Sequence, residues 1–306
     1  MSRPWCVYSD AYYVDMGEHV FPVEKYRRVY AELSATGVLR PEDIAEPRPA
    51  SEEDLLLVHD PAYLAHLRRL AAFGWGYLTP DTPVSPDILE GSILSAGGTI
   101  LAGRLALDRG VSLHLSGGFH HAFGDHGEGF CYVNDVAVAV RRLQADGVIR
   151  RAAIIDCDVH QGNGNASIFA DDKSVFTFSI HEDDNYPLVK PPSDLDIGLP
   201  YRCPDGPYLA GVHRGVEAAL GSDPELAFYL AGADPYEGDM LGGLAVTTEG
   251  LLERDRIVLR GCAAARVPAT VVLAGGYARD TADTVAIHCR TAREVRARLD
   301  GSVGVA

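Results

Sequence analysis

Short apolar runs of strand type alternate with longer segments of helical period along most of the chain. Residues 5–8, 111–116, 154–156, 175–180, 226–230 and 270–273 carry the compact apolar pattern of buried strands. Between them, helices are predicted over 24–35, from Asp60-Pro61 onward, and over 86–109, 136–145, 165–169, 207–220, 248–265 and 281–299. Local chemistry sets their ends. Ser51-Glu52-Glu53-Asp54 is a capping pattern, Ser85-Pro86 supplies a cap and first-turn proline, and Gly37 and Gly147 stop helices. Alternating strands and helices predict a single-domain three-layer α/β/α fold with a mostly parallel central sheet, spanning residues 1–306. Two connections, 74–85 and 181–202, are longer than a compact link requires and read as rims of a site. The second is punctuated by Pro187, Pro191 and Pro192, which predicts an ordered, rigid loop.

Four of the strands end in the same way, with small residues and then a side chain capable of chemistry. One runs into Gly117-Gly118-Phe119-His120-His121, another into Asp156-Cys157-Asp158-Val159-His160-Gln161-Gly162-Asn163-Gly164. The others run into Ala231-Gly232-Ala233-Asp234 and Ala274-Gly275-Gly276-Tyr277. Parallel α/β sheets place their sites beyond the carboxyl ends of the strands. Alternation along a continued strand would point Asp156, Asp158 and His160 to one face. Buried carboxylates beside an imidazole need a counter-charge, and a divalent cation supplies it.

Asp158, His160 and Asp234 form the expected metal set, with coordination positions left free for chemistry. A set without thiolate suits zinc or Fe(II). Asp234 could instead cap a helix, since Pro235 follows it. His120 and His121 in tandem can take a proton from a water acidified by the metal and deliver it to a leaving amine. Tyr277 can donate to a carbonyl oxygen as it becomes an oxyanion. Asp156 is expected to align an imidazole or hold a monovalent ion, with Asn163 in a weaker orienting role. Phe130 could line a channel for an aliphatic stem.

Composition narrows the partners. With 43 acidic against 27 basic residues the net charge is −16, which disfavours nucleic acid and anionic membrane and weakly favours cationic substrates. The six cysteines form no CxxC pair, and Cys131 and Cys157 read as buried apolar fillers. No apolar run approaches the roughly 20 residues needed to span a bilayer, so a cytoplasmic protein is expected.

The motifs Gly117-Gly118-Phe119-His120-His121-Ala122, Gly129-Phe130-Cys131, Asp156 through Gly164, and Ala233-Asp234 together resemble the zinc-dependent histone deacetylase family. The resemblance runs from His19-Val20-Phe21-Pro22 to Tyr277. Glu237-Gly238-Asp239-Met240-Leu241-Gly242-Gly243-Leu244 looks most like its class IV branch and bacterial relatives. It implies the arginase/deacetylase fold and hydrolysis of N-acyl-lysine, in a protein or peptide, or of a related acylated small amine. It also implies one Zn²⁺ on Asp158, His160 and Asp234, with His121 as general base and acid, His120 its electrostatic partner, and Asp156 paired with His120. Tyr277 matches the carbonyl-polarising residue, while Gly129 and Phe130 match one wall of the acyl-lysine tunnel. A potassium ion is implied near Asp156, Asp158, His160, Ser179 and Ile180. Many members carry an acid where Asn163 stands, so His121 should be less basic here. Leu241 stands at a gatekeeper position where acetylpolyamine-type members often place an acid, and Asp81 lies only near the usual rim aspartate. A binding protein that recognises acylated ligands without hydrolysing them is the rival outside the enzyme class, and retention of His120, His121 and Tyr277 argues against it.

Overall fold

Ile154 and Ile155 are adjacent in the chain, yet they bury into two different apolar cores. Leu226, Phe228 and Leu230 join one core while Ala227 and Tyr229 join the other. Such period-two partition is what a sheet covered on both faces imposes on its strands.

The computed structural model describes residues 4–301. Its strands in chain order are β1 Cys6–Val7, β2 Ile44–Ala45, β3 Gly76–Thr79, β4 Thr82–Val84, β5 Val111–His114, β6 Ala152–Asp156, β7 Val175–Glu182, β8 Leu195–Leu199, β9 Leu226–Leu230 and β10 Ala269–Val272. Among the described residues, all but β3 and β4 form one sheet, ordered β2-β1-β5-β10-β9-β6-β7-β8. Every pair in it is parallel. The helices are α1 Glu24–Ala35, α2 Glu52–Leu56, α3 Pro61–Ala72, α4 Pro86–Arg109, α5 Asp135–Ala145, α6 Asn163–Ile168, α7 Asp205–Gly221, α8 Thr248–Ala265 and α9 Thr281–Leu299. The core containing Ile154 is shared with α4 and α5, and the core containing Ile155 with α1, α7, α8 and α9. The three-layer α/β/α architecture expected from the sequence is present. No helix among the described residues is long and apolar enough to cross a membrane.

Two expectations need correction. The long connections are not bare loops. Residues 74–85 contain the antiparallel β3–β4 hairpin, and residues 181–202 contain β8. Pro83 inside β4 and the run Pro191-Pro192 before β8 hide the strand pattern, because proline breaks a ladder and marks edges. The other correction concerns Asp156-Cys157-Asp158. The strand β6 stops at Asp156, so Asp158 and His160 sit on irregular backbone beyond it and share no strand face with Asp156.

The site-bearing loop after β5 is tied down by a buried histidine. His59 Nδ1–H donates to the Phe123 carbonyl at 3.0 Å, and its Nε2 accepts from the Asn134 amide at 3.1 Å. Only a neutral ring does both. Burial, partly offset by hydrogen bonds to Phe123 and Gly124, draws its pKa from 6.5 down to about 4. The folded value lies below the unfolded one, so this contribution is complete above about 6.5 and lost as pH falls toward about 4. The loss amounts to roughly 3 kcal/mol at about 1.4 kcal/mol per unit. Urea titrations should therefore give a midpoint that falls on acidification through this window and falls less in His59→Gln. A midpoint with the same pH dependence in both chains would remove His59 from the account.

Candidate active site

The four strand endings singled out in the sequence belong to β5, β10, β9 and β6, which are consecutive neighbours at the centre of the sheet. Their carboxyl ends open on one side, and the polar side chains beyond them meet there. Asp135, buried at the start of α5, shapes the turn after β5. Its carboxylate accepts from the amides of Gly118 at 3.1 Å and Phe119 at 2.8 Å, which turns His120 and His121 toward β6.

Asp158, His160 and Asp234 are buried together, with one possible ligand atom of each lying within 4.8 Å of the others. His160 Nδ1 is 3.1 Å from Asp158 Oδ1 and 3.6 Å from Asp234 Oδ2. The remaining carboxylate oxygens are held by backbone. Gly275 N–H donates to Asp158 Oδ2 at 2.8 Å, and Val159 N–H to Asp234 Oδ1 at 3.0 Å. Asp234 Oδ2 is buried and has no hydrogen-bond partner. No helix begins at Asp234, so it is not a cap. A Cβ on Gly275 would lie 1.9 Å from Asp234 Oδ2, so only glycine lets the turn after β10 approach these carboxylates.

The electrostatics of this group suit a cation. Burial pushes the Asp234 carboxyl up to about 7, with Asp158 adding to the shift. Burial alone would depress His160, but its hydrogen bond to Asp158 and the negative charges of Asp158 and Asp234 outweigh it and raise the ring to about 10. Two carboxylates thus concentrate positive charge at one point, where an orphaned oxygen and an inward-facing Nδ1 already converge. The donor set of two carboxylates and one imidazole fits a divalent ion such as zinc.

Beside this group the two histidines differ sharply. His120 Nδ1–H donates to Asp156 Oδ2 at 2.7 Å. Burial would lower His120, but Asp156 and then Asp158 carry it to about 9. Burial and the charges of His120 and His160 hold His121 well below the ordinary value, the Asn163 hydrogen bond offsetting only part. His121 Nδ1 lies 2.6 Å from Asn163 Oδ1, and its Nε2 lies 3.1 Å from His120 Nε2. Tyr277 borders the same pocket, and its backbone N–H donates to Asp239 Oδ2 at 2.6 Å. Burial, then Asp158 and Asp234, keep its phenol protonated far above neutrality.

A mouth of about 200 Å³ leads inward, lined by Gly129, Phe130, Leu241, Tyr277 and the exposed edges of His121 and His160. Asp81, at the tip of the β3–β4 hairpin, also borders it. The implied potassium positions are neighbours, since Asp156 and Ser179 lie in register on β6 and β7, with Ile180 next along β7. The Ser179 hydroxyl, however, is 2.9 Å from His181 Nδ1, so the geometry lends that ion no support of its own. Cys131 and Cys157 are buried, and burial raises both thiols, as fits apolar fillers.

Three residues near the site escaped the sequence reading. Tyr186, in the loop between β7 and β8, sets its ring edge-on to His121 at 4.9 Å. Lys25 on α1 is fully buried and donates to the Ala274 carbonyl at 2.7 Å, fixing the turn before Gly275. Burial lowers this lysine to about 8 against the pull of Asp234 and Asp158. Glu128 accepts from Asn163 Nδ2. Only Glu128 had a signal, its place in Gly127-Glu128-Gly129 between two motifs.

Comparison with known proteins shows the family. The family model described as the histone deacetylase domain matches residues 19–292. An uncharacterized protein of Picosynechococcus sp. is 42% identical over 288 residues, covering 91% of this chain and 94% of the relative. Histone deacetylase 2 of Arabidopsis thaliana is 32% identical over 302 residues, covering 94% of this chain and 78% of the relative. A crystal structure of an HDAC homolog complexed with SAHA superposes with a TM-score of 0.82 at 23% identity, covering 96% of this chain and 84% of that one, and shares the fold. The chain belongs to the histone deacetylase family, and it is an amidohydrolase of that family, acting on acetylated amides.

Proposed function

We propose that the chain removes an acyl group, acetyl or longer, from N-acylated lysine or a related amine, using one Zn²⁺ held by Asp158, His160 and Asp234. The observation that carries this reading is the joint burial of that cation group beside a neutral His121 and a protonated Tyr277 at the base of one mouth. A divalent ion bound there would supply Lewis-acid polarisation of the amide carbonyl and acidify the attacking water. The rest falls to the protein. His121 accepts the water proton at Nε2 and returns it to the leaving amine. His120, kept cationic by Asp156, places a fixed positive charge beside the reacting amide. The Tyr277 phenol donates to the carbonyl oxygen as negative charge develops on it. Asn163 Oδ1 accepts a hydrogen bond from the His121 Nδ1–H, and Gly129, Phe130, Tyr186 and Leu241 flank the aliphatic stem of the amine.

An apolar cavity of about 40 Å³ shares Phe21, Phe119 and Phe130 with the catalytic pocket, which supports room for a small acyl end such as acetyl. Asp81 at the mouth, with the net charge of −16, favours a substrate carrying a second positive charge, which supports acetylated polyamines as the second reading. The test is a hydrolysis panel of acetyl- to myristoyl-lysine peptides and acetylated polyamines, with metal content measured on the same preparation. Turnover of at least one lysine substrate with one zinc per chain is expected. A zinc-saturated protein inert toward the whole panel would refute the reading.

A further inference from the structure

We propose that Glu128 is a positioning residue for the proton-transfer histidine, acting through the amide of Asn163; this rests on the role given to His121 above. Glu128 opens a tight turn in which Cys131 N–H donates back to the Glu128 carbonyl at 2.9 Å. The two central residues, Gly129 and Phe130, have φ of +55° and +66°. A phenylalanine in the left-handed region is strained, and such strain gathers where surroundings demand a particular placement. Here the demand is visible on both sides. A Cβ on Gly129 would lie 2.5 Å from His121 Cδ2, so the turn is pressed against the imidazole. The same turn sends Phe130 to the mouth and the Glu128 carboxylate toward Asn163.

The hydrogen-bond logic then fixes a tautomer. Asn163 Nδ2 donates to Glu128 Oε1 at 2.5 Å. A carboxylate only accepts, so the amide nitrogen must face Glu128 and the amide oxygen must face His121. With Asn163 Oδ1 at 2.6 Å, a neutral His121 carries its proton on Nδ1 and leaves Nε2 as the unprotonated acceptor, on the side it shares with His120 Nε2 at 3.1 Å. Were the amide reversed, its nitrogen would face Nδ1, the proton would move to Nε2, and the base would be silenced. The Gly164 N–H, 3.1 Å from Asn163 Oδ1, favours the same orientation as a weaker neutral donor. Many relatives resembled above place an acid directly against this histidine; here the negative charge stands one amide further out.

Glu128 also lies in the electrostatic reach of the ring beside the imidazole. Burial, and then the Glu128 carboxylate, raise the Tyr186 phenol's pKa, while the Tyr186 ring meets His121 edge-on. One carboxylate therefore holds the group beneath the base and stands near the aromatic alongside it.

The experiment compares Glu128→Met, which keeps length without an acceptor, with Glu128→Gln, which keeps an acceptor. On the zinc-containing protein and an acetyl-lysine peptide, Glu128→Met should lose about 10–100-fold in kcat, the scale for removing an outer hydrogen-bond partner, with KM little changed. Glu128→Gln should recover most of that loss. In an Asn163→Ala background Glu128→Met should cost nothing more. Independently of turnover, long-range ¹⁵N–¹H imidazole spectra should show His121 protonated on Nδ1 in the parent chain and in Glu128→Gln, and as a tautomer mixture in Glu128→Met. If the parent chain hydrolyses nothing, the functional reading falls while the spectra still decide this proposal. Unchanged kcat and tautomer in Glu128→Met, or an equal loss on the Asn163→Ala background, would overturn it. Should Glu128→Met not fold, Glu128→Ala carries the same comparison.

Discussion

Tyr277→Phe is expected to lower kcat by about 10²–10³-fold, the scale for removing one oxyanion donor, while zinc content stays at the parent level. The substitution deletes one hydroxyl and nothing else that holds the site. Tyr277 is anchored by its backbone N–H on Asp239, and its ring packs edge-on to Phe21 at 6.0 Å and Phe130 at 6.1 Å. Phenylalanine keeps all three contacts, so the fold and the mouth should persist. Because the phenol donates mainly to charge that develops during the reaction, KM should move far less than kcat. The parent phenol stays protonated throughout the neutral range, held there by burial and the nearby carboxylates, so no alkaline limb below pH 10 should come from it. Full activity in Tyr277→Phe would show that another donor meets the carbonyl oxygen.

The sequence carried the central sheet and the site-bearing strand ends for a physical reason. β5, β6, β9 and β10 are buried on both faces, so their runs are short and mostly apolar, with Ser112, His114 and Thr270 as buried exceptions, and stop abruptly where chemistry begins. Edge elements lack that signature. β2 is two residues long, β8 reads Leu-Asp-Ile-Gly-Leu with one face exposed, and β4 contains Pro83, so none stands out from a loop. Site residues on strand ends were equally readable, because Asp158, His160, Asp234, His120, His121 and Tyr277 follow small residues after apolar runs. Lys25 and Tyr186 were not. Lys25 lies on an amphipathic helix where a lysine normally faces water, and its burial beside Ala274 is purely tertiary. Tyr186 reaches His121 from a loop that local pattern cannot aim. The irregular backbone after Asp156 also defeats a periodicity argument, since the strand ends just where its geometry would matter.

Asp234→Asn should weaken zinc binding by well over 100-fold, since outer partners of a metal ligand alone reach about 10–100-fold, and activity should fall with it. The informative part is what happens to stability. Asparagine keeps the shape and can still accept from the Val159 N–H through its amide oxygen. What it removes is a carboxyl whose pKa burial and Asp158 have raised to about 7. A folded value above the unfolded one means this group favours folding below about 3.8 and loses that contribution as pH rises through about 7. Metal-stripped Asp234→Asn should therefore melt higher than the metal-stripped parent at neutral pH, with the gap closing on acidification. Zinc should reverse the order, because only the parent binds it tightly and a ligand stabilises the state it binds. Thermal melts of both chains with and without zinc would read both signs at once. A variant that melts lower than the parent in both conditions would mean that Asp234 holds the fold rather than a cation.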